Sequence, residues 1–181
     1  MNIGNNENSL IAAAVKNDRK AQHSIYEKYS GRLLSLCRSF TPDIQEAEDI
    51  LLKSFFKIFK NLHTFRNEGS FEKWMKRIVI NEAINFQKRK SIVDRTKSVD
   101  EQIIVQETES SLDMEYWQLL IDRLPQNLKQ AFILSVLEGY SHAEISDMFN
   151  ISTNASKQRV KRAKMMLREM DFKRKNISNG F

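Results

Sequence analysis

Residues Ser141–Leu167 read SHAEISDMFNISTNASKQRVKRAKMML. Ser141 with Glu144 three positions on is the signature of a capped helix start. The hydroxyl accepts from the third helical N–H while the carboxylate returns to the cap's own N–H. Ile145, Met148 and Phe149 then give this short helix an inner face. Asn150 stands where the chain must turn sharply, and asparagine tolerates the left-handed backbone such a turn needs. Ile151 is expected to plug the core, and Ser152 to cap a second helix. In that helix Ser156, Val160, Ala163 and Leu167 recur at steps of four, three and four, which predicts one buried stripe. The other faces carry Asn154, Lys157, Gln158, Lys161, Arg162 and Met165. The pattern predicts a helix-turn-helix whose second helix enters a major groove, reading base edges with such side chains and gripping phosphate with its surplus cations. A merely solvated charged face is the competing reading; the capping box and turn chemistry favour DNA.

Working outward, helical period persists almost everywhere. Upstream of the motif, Trp117, Leu120, Ile121 and Leu124 mark one helix. Pro125 opens another, in which Leu128, Phe132, Leu134, Val136 and Leu137 are expected mostly inward, and Gly139 closes it. Further back, Leu10–Lys16 and Ala21–Phe40 are helical, with Ile25, Tyr29, Leu33, Leu36, Cys37 and Phe40 on one side. Pro42 and Asp43 restart the chain, and Ala47, Ile50, Leu51, Phe55, Ile58, Phe59 and Leu62 form a wide apolar stripe. Thr64–Ser70 (TFRNEGS) is a loop by composition. Ser70 caps a fourth helix carrying Phe71, Trp74, Met75, Ile78, Val79 and Phe86. Ser91–Ser111 loses the period and reads as a linker, with Ile103–Val105 a short apolar island. The expected architecture is all-α: a helical domain over 7–91, a flexible acidic linker over 92–111, and a second helical domain over 112–171. About 20 flexible residues typically span roughly 25 Å and stretch to about 70 Å, more than one DNA turn of about 34–36 Å.

Charge follows the same division. The chain has 181 residues and a formal charge of +6. From Lys73 to Lys97 eight basic residues face Glu82 and Asp94, a net of +6. From Ser98 to Asp122 there are seven acids and no Lys or Arg; from Thr153 to Lys175 nine basic residues face Glu169 and Asp171, a net of +7. Two cationic segments around an acidic connector suggest two surfaces for a polyanion. Only 2 prolines and 5 glycines interrupt the chain, so long helices can run. No apolar run is long enough to span a membrane, and the polar Met1–Ser9 stretch is unlike a secretory leader. A single cysteine, Cys37, fits a reducing cytoplasm.

Several residues have plainer readings. His23, His63 and His142 form no ligand spacing, so no metal or other cofactor is expected. Cys37 reads as a buried small hydrophobe. Trp74, Trp117 and the phenylalanines are more often core than stacking platforms, with Phe65 and Phe71 nearer even. Glu46, Glu48 and Asp49 lie on a charged helix without a partner nucleophile. With no nucleophile–base pair and no phosphate-cradling loop, neither an enzyme nor a small-molecule substrate is expected.

The two halves together resemble the extracytoplasmic-function group of the sigma-70 family, over nearly the whole chain from Asn8 to Met170. Leu124–Arg168 (LPQNLKQAFILSVLEGYSHAEISDMFNISTNASKQRVKRAKMMLR) is similar to that family's region 4. Ala47–Lys90 (AEDILLKSFFKIFKNLHTFRNEGSFEKWMKRIVINEAINFQKRK) is similar to region 2. The resemblance implies a sigma factor that binds core RNA polymerase and directs promoter-specific initiation in the cytoplasm, at the nucleoid. It implies duplex minus-35 readers at Asn154, Lys157, Gln158, Lys161 and Arg162, with Arg159 on phosphate. It implies capture of the melted minus-10 strand by the loop Phe65, Arg66, Gly69 and Ser70, with Trp74 beside it. Asn81 and Asn85, four apart on one helix face, would converge on a flipped base. Lys73, Lys76, Arg77, Lys88 and Arg89 would steady the backbone. The helix Asp43–Leu62 matches the family's polymerase contact, with Glu48, Asp49, Leu52, Lys53 and Phe56 as contact residues. The implied partners are the polymerase clamp and flap, promoter DNA and an anti-sigma factor. The match departs at Leu52 and Lys53, where the family usually has Gln-Glu, and at Ser156, usually aliphatic, whose hydroxyl is expected to bond back to the preceding turn. The competing function is a helix-turn-helix regulator that is not a polymerase subunit; it should dimerise and bind a palindrome.

Overall fold

A computed structural model describes the backbone of residues 3–66, 68–94 and 112–178, and the side chains of 7–66, 68–90 and 116–172. The chain divides into two compact units, Met1–Thr96 and Lys97–Phe181. All regular structure among the described residues is helical.

The first unit holds α1 (Ile3–Val15), α2 (Arg19–Arg38), α3 (Ile44–Asn61), a single 3-10 turn Leu62–Thr64, and α4 (Phe71–Asp94). Each junction has a local chemical cause. After α1, Asn17 adopts φ 62, and the amides of Asn17 and Asp18 return to Ala14 O and Ala13 O at 3.0 and 3.2 Å. That pair of bonds satisfies the last carbonyls of a helix ended by a left-handed residue. Asp18 then caps α2, accepting from the Lys20 and Ala21 amides at 2.8 and 3.0 Å. Asp43 caps α3 in the same way. Ile25, Leu33, Ile50, Ile58, Met75, Val79 and Ile80 fill the interior with little or no exposure. Cys37 is fully buried, and burial pushes its thiol up to about 12. The Glu7 carboxylate ties α1 to α2 by accepting from Lys28 and the Tyr29 hydroxyl. α4 runs past the expected domain edge at 91, to Asp94. The expected island Ile103–Val105, and the linker from 95 on, lie outside the described residues.

The second unit holds α5 (Leu112–Asp122), α6 (Gln126–Phe132) with its continuation Ile133–Leu137, α7 (His142–Phe149) and α8 (Thr153–Ser178). Its core is Leu120, Ile121, Leu124, Leu128, Phe132, Ile133, Ala163 and Leu167. Two expectations fail here. Val136 and Leu137 are 42% and 58% exposed rather than inward. The turn they occupy widens, with the Glu138 amide reaching back five residues to Ile133 O at 3.0 Å, and that widening turns the periodic face away from the core. Trp117 is 45% exposed rather than core, its ring set 5.6 Å from Tyr116. Gly139 ends the turn at φ 71, a backbone that costs a glycine little. No helix among the described residues is long and apolar enough to cross a membrane.

Candidate nucleic-acid interface

The helix-turn-helix is held by its own caps. The Ser141 hydroxyl accepts from the Glu144 amide at 3.2 Å, and the Ser141 amide donates to Glu144 Oε2 at 2.9 Å. Asn150 closes α7 at φ 52, ψ 52, and the Ile151 amide returns to Ser146 O at 3.0 Å. The Ser152 hydroxyl accepts from the Ala155 amide at 3.0 Å, starting α8. Ile145 is wholly buried; Met148, Phe149 and Ile151 are half-buried.

α8 then divides cleanly. Ser156, Val160, Ala163 and Leu167 are buried. Asn154, Lys157, Gln158, Lys161 and Arg162 are exposed, and Arg159 is half-buried. None of Lys157, Arg159, Lys161, Arg162, Lys164 and Arg168 forms an ion pair with another described residue. Their charge is therefore available to an external anion. The Ser156 hydroxyl does not bond back along α8 as expected; it meets His142 Nδ1 at 3.0 Å and pins the start of α7 to α8. The sequence held a signal for this contact: a hydroxyl inside an apolar stripe needs a partner.

In the first unit, the loop before α4 builds an aromatic corner. Phe65 lies 5.1 Å from Phe71 and 5.6 Å from Trp74, and Phe71 stacks on Trp74 at 5.7 Å and 16°. Phe71 is buried; Phe65 and Trp74 keep a partly open edge. Arg66, Gly69 and Ser70 are exposed, with Gly69 at φ 98. Ser70 starts α4, its carbonyl accepting from the Trp74 amide at 3.1 Å. Farther along α4, Arg77, Asn81, Asn85 and Lys88 are all exposed. Neither the Asn81 nor the Asn85 amide hydrogen-bonds another described residue. Two hydrogen-bonding amides thus stand one turn apart, solvated and uncommitted.

The cations of α4 are placed differently. Lys76 pairs with Glu72 at 3.1 Å, Arg89 with Glu82 at 3.1 Å, and Lys90 with Glu46 at 2.8 Å. Glu82 is the residue that sequence reasoning passed over. It is buried, and it accepts from Lys57 of α3 as well as Arg89. Burial alone would push its carboxyl up; the hydrogen bonds from Lys57 and Arg89 overrule that and hold it below the usual carboxylate range. Its position was a clue, since it lies three after Val79 and four before Phe86, inside an apolar stripe.

On α3 the outer face is open. Leu52 and Phe56 are 69% and 70% exposed, Glu48 is exposed, and Lys53 lies 3.9 Å from Asp49. Two large apolar side chains one turn apart, bordered by charge, form a surface suited to a protein partner.

Residues 25–92 match the family model described as Sigma-70 region 2, and residues 114–167 match Sigma-70, region 4. The chain belongs to the sigma-70 family. It is an extracytoplasmic-function sigma factor, which serves RNA polymerase in promoter-specific initiation. The region 2 match begins in α2 and ends in α4; the region 4 match takes in α5 to α8 as far as Leu167. This sigma factor is 23% identical over 180 residues to the ECF RNA polymerase sigma-E factor of Haemophilus influenzae, covering 89% of this chain and 93% of the relative. It is 25% identical over 179 residues to the RNA polymerase sigma-H factor of Pseudomonas aeruginosa, covering 87% and 90%. In fold it is similar to the sigma factor RpoE of Bartonella quintana, solved with the anti-sigma factor NepR, at TM-score 0.63, 19% identity and 81% and 94% coverage. It is also similar to CnrH, solved with the cytosolic domain of CnrY, at TM-score 0.55, 18% identity and 89% and 94% coverage.

Proposed function

We propose that this sigma factor reads its promoter with two unlike surfaces and carries out no catalytic step of its own. α8 takes the minus-35 duplex: Asn154, Lys157, Gln158, Lys161 and Arg162 face the groove and Arg159 a phosphate. The first unit takes the melted minus-10 strand. There Phe65, Arg66, Gly69, Ser70 and Trp74 form the loop side of a pocket, Asn81 and Asn85 hold the edge of an extruded base, and Arg77 and Lys88 grip the backbone. Trapping an unstacked base offsets the few kcal/mol that melting costs. Glu48, Asp49, Leu52, Lys53 and Phe56 meet core polymerase at its clamp, and the second unit meets the flap. The domain limits 7–91, 92–111 and 112–171 follow this division of labour. An anti-sigma factor is a further partner, a reading supported by the similar fold of RpoE, solved with the anti-sigma factor NepR. The working place is the cytoplasm, on the nucleoid.

The observation that carries this reading is the exposed, unpartnered amide pair on α4. A structural asparagine spends its amide on the protein; these two do not. The test is reconstitution with core polymerase on a cognate promoter. Promoter-dependent transcripts should appear only with this protein present. Asn81→Ala should weaken permanganate reactivity of the minus-10 thymines while leaving minus-35 duplex binding intact. Wild-type reactivity in that variant would end the base-capture reading. Tight binding to a palindromic duplex by a dimer, with no transcripts, would favour a regulator outside the polymerase.

A further inference from the structure

Glu82 has no place in the reading above, yet it is a buried carboxylate in the middle of the helix that carries the amide pair. Asn81 and Asn85 flank it in sequence and are exposed, whereas Glu82, Ala83 and Ile84 are 3%, 0% and 6% exposed. Glu82 Oε2 accepts from Lys57 Nζ of α3, and Oε1 accepts from Arg89 Nη2 at 3.1 Å, seven residues farther along α4. The two cations keep side-chain exposures of 49% and 63%, so they approach from the rim while the carboxylate lies beneath. Lys57 follows Phe56, the apolar knob on the outer face of α3.

Besides this link, Lys90 of α4 pairs with Glu46 near the start of α3 at 2.8 Å, and the remaining buried residues of both helices are apolar except Ser54. The buried side of α3 includes Phe55 and Ile58, and that of α4 includes Met75, Val79, Ile80, Ala83 and Ile84. Apolar packing is non-directional and tolerates a small rotation or slide. A carboxylate held by two cations is directional and does not. Residues four apart on a helix differ by only about 40° in direction, so a roll of α4 would swing both amides together off the face they now share. A buried charge that loses its partners is costly, which penalises any such roll.

We propose that Glu82 is a positioning residue for base capture: by joining α3 to α4 through Lys57 and Arg89, it fixes the roll of α4 that presents both asparagine amides to the melted strand. The proposal rests on the base-capture reading given above. It makes the polymerase-facing helix and the strand-reading helix one rigid piece, so that α4 is set before DNA arrives.

The experiment uses holoenzyme assembled with wild-type protein, E82Q, K57M and the double variant. It measures four quantities: assembly with core polymerase, affinity for a minus-35 duplex, affinity for a single-stranded minus-10 oligonucleotide, and open-complex formation. E82Q keeps the size of the side chain but removes its charge and one of its two acceptor oxygens, so it can hold at most one of the two cations. K57M removes one arm from the rim and leaves Glu82 paired with Arg89, so it carries the test if E82Q does not fold. Strand capture and opening should fall on the order of tenfold or more in each single variant. Assembly and duplex affinity should stay at the wild-type level. The double variant should be no worse than E82Q alone, because both changes cut one link. Wild-type capture in the folded single variants overturns the proposal, as does an equal loss of duplex affinity. If Asn81→Ala is defective and E82Q and K57M are not, base capture stands and the role of Glu82 falls. If Asn81→Ala is itself wild-type, the base-capture reading and this proposal fall together.

Discussion

α4 and α8 are both long basic helices, and their segments look alike on charge alone, at +6 over Lys73–Lys97 and +7 over Thr153–Lys175. The structure separates them. Lys76, Arg89 and Lys90 of α4 each reach a carboxylate on the protein. Lys157, Arg159, Lys161, Arg162, Lys164 and Arg168 of α8 reach none among the described residues. Net charge counts cations; binding to a polyanion depends on how many are uncommitted. An exposed ion pair is worth only about 0–1 kcal/mol, so a phosphate can take a paired lysine from its carboxylate. The carboxylate then stays behind as a repulsive neighbour. A helix with free cations suits the phosphates of a duplex, whereas one with several cations tied, Arg77 left exposed and two free amides suits a single strand and the edge of one base.

The comparison presumes that α8 is held by α7 and the turn, and this is where it can be broken most severely. Ile145 of α7 is fully buried. Ile145→Ala should destabilise the second unit by about 2–5 kcal/mol. Denaturant unfolding should show its transition moving while that of the first unit stays. A shift of both transitions would mean that the two surfaces are not independently built. Next in size is the charge itself. Lys161→Ala and Arg162→Ala should each cost about 1–3 kcal/mol in minus-35 affinity if they read a base edge. A side chain that grips phosphate should instead reduce the log–log salt slope by about 0.9. Lys76→Ala, which removes a cation already paired with Glu72, should leave the duplex slope unchanged. Equal slope changes for Lys76 and Lys161 would erase the distinction between the helices. Smaller again is the turn. Asn150→Ala forces a Cβ-bearing residue without a helpful amide into φ 52 and should cost roughly 1–2 kcal/mol, with Asn150→Gly close to neutral. Asn150 and Asn81 then contrast in kind: one substitution is read in unfolding, the other in strand opening.

How much of this was legible beforehand follows from where the determinants lie. Caps, turn residues and periodic stripes are local, so Ser141, Glu144, Asn150, Ser152 and the α8 stripe could be placed from spacing alone. The matching turn at Asn17 and Asp18 obeys the same chemistry, but no second motif beside it marks it out in the sequence. Val136 and Leu137 depart from their periodic face because one widened turn shifts the helical period, and no single residue announces such widening. Pairing across elements was not legible. Lys57 and Glu82 are 25 residues apart, and nothing in either neighbourhood names the other. The same holds for His142 and Ser156. What could be seen was only that Glu82 and Ser156 were polar residues within apolar stripes, each in need of a partner.

The least costly test of the contrast is acid. Glu82 has its carboxyl held below the ordinary value of 4.5, with Lys57 and Arg89 outweighing its burial. Glu7 is held low by Lys28 and Tyr29. A carboxyl that is more acidic folded than unfolded favours the fold while both states are ionised. Its stabilisation is therefore complete above the unfolded value, near 4.5, and is lost as pH falls through the lower folded value. The first unit should accordingly lose stability as pH drops below that point, and E82Q should flatten the fall in part, leaving the share due to Glu7. Melting temperatures of wild type and E82Q at steps from neutral pH downward measure this directly. An unchanged acid slope in E82Q would show that the buried carboxylate stores none of its charge pairing in the folded state. The tied cations of α4 would then differ from the free ones of α8 in geometry but not in energy.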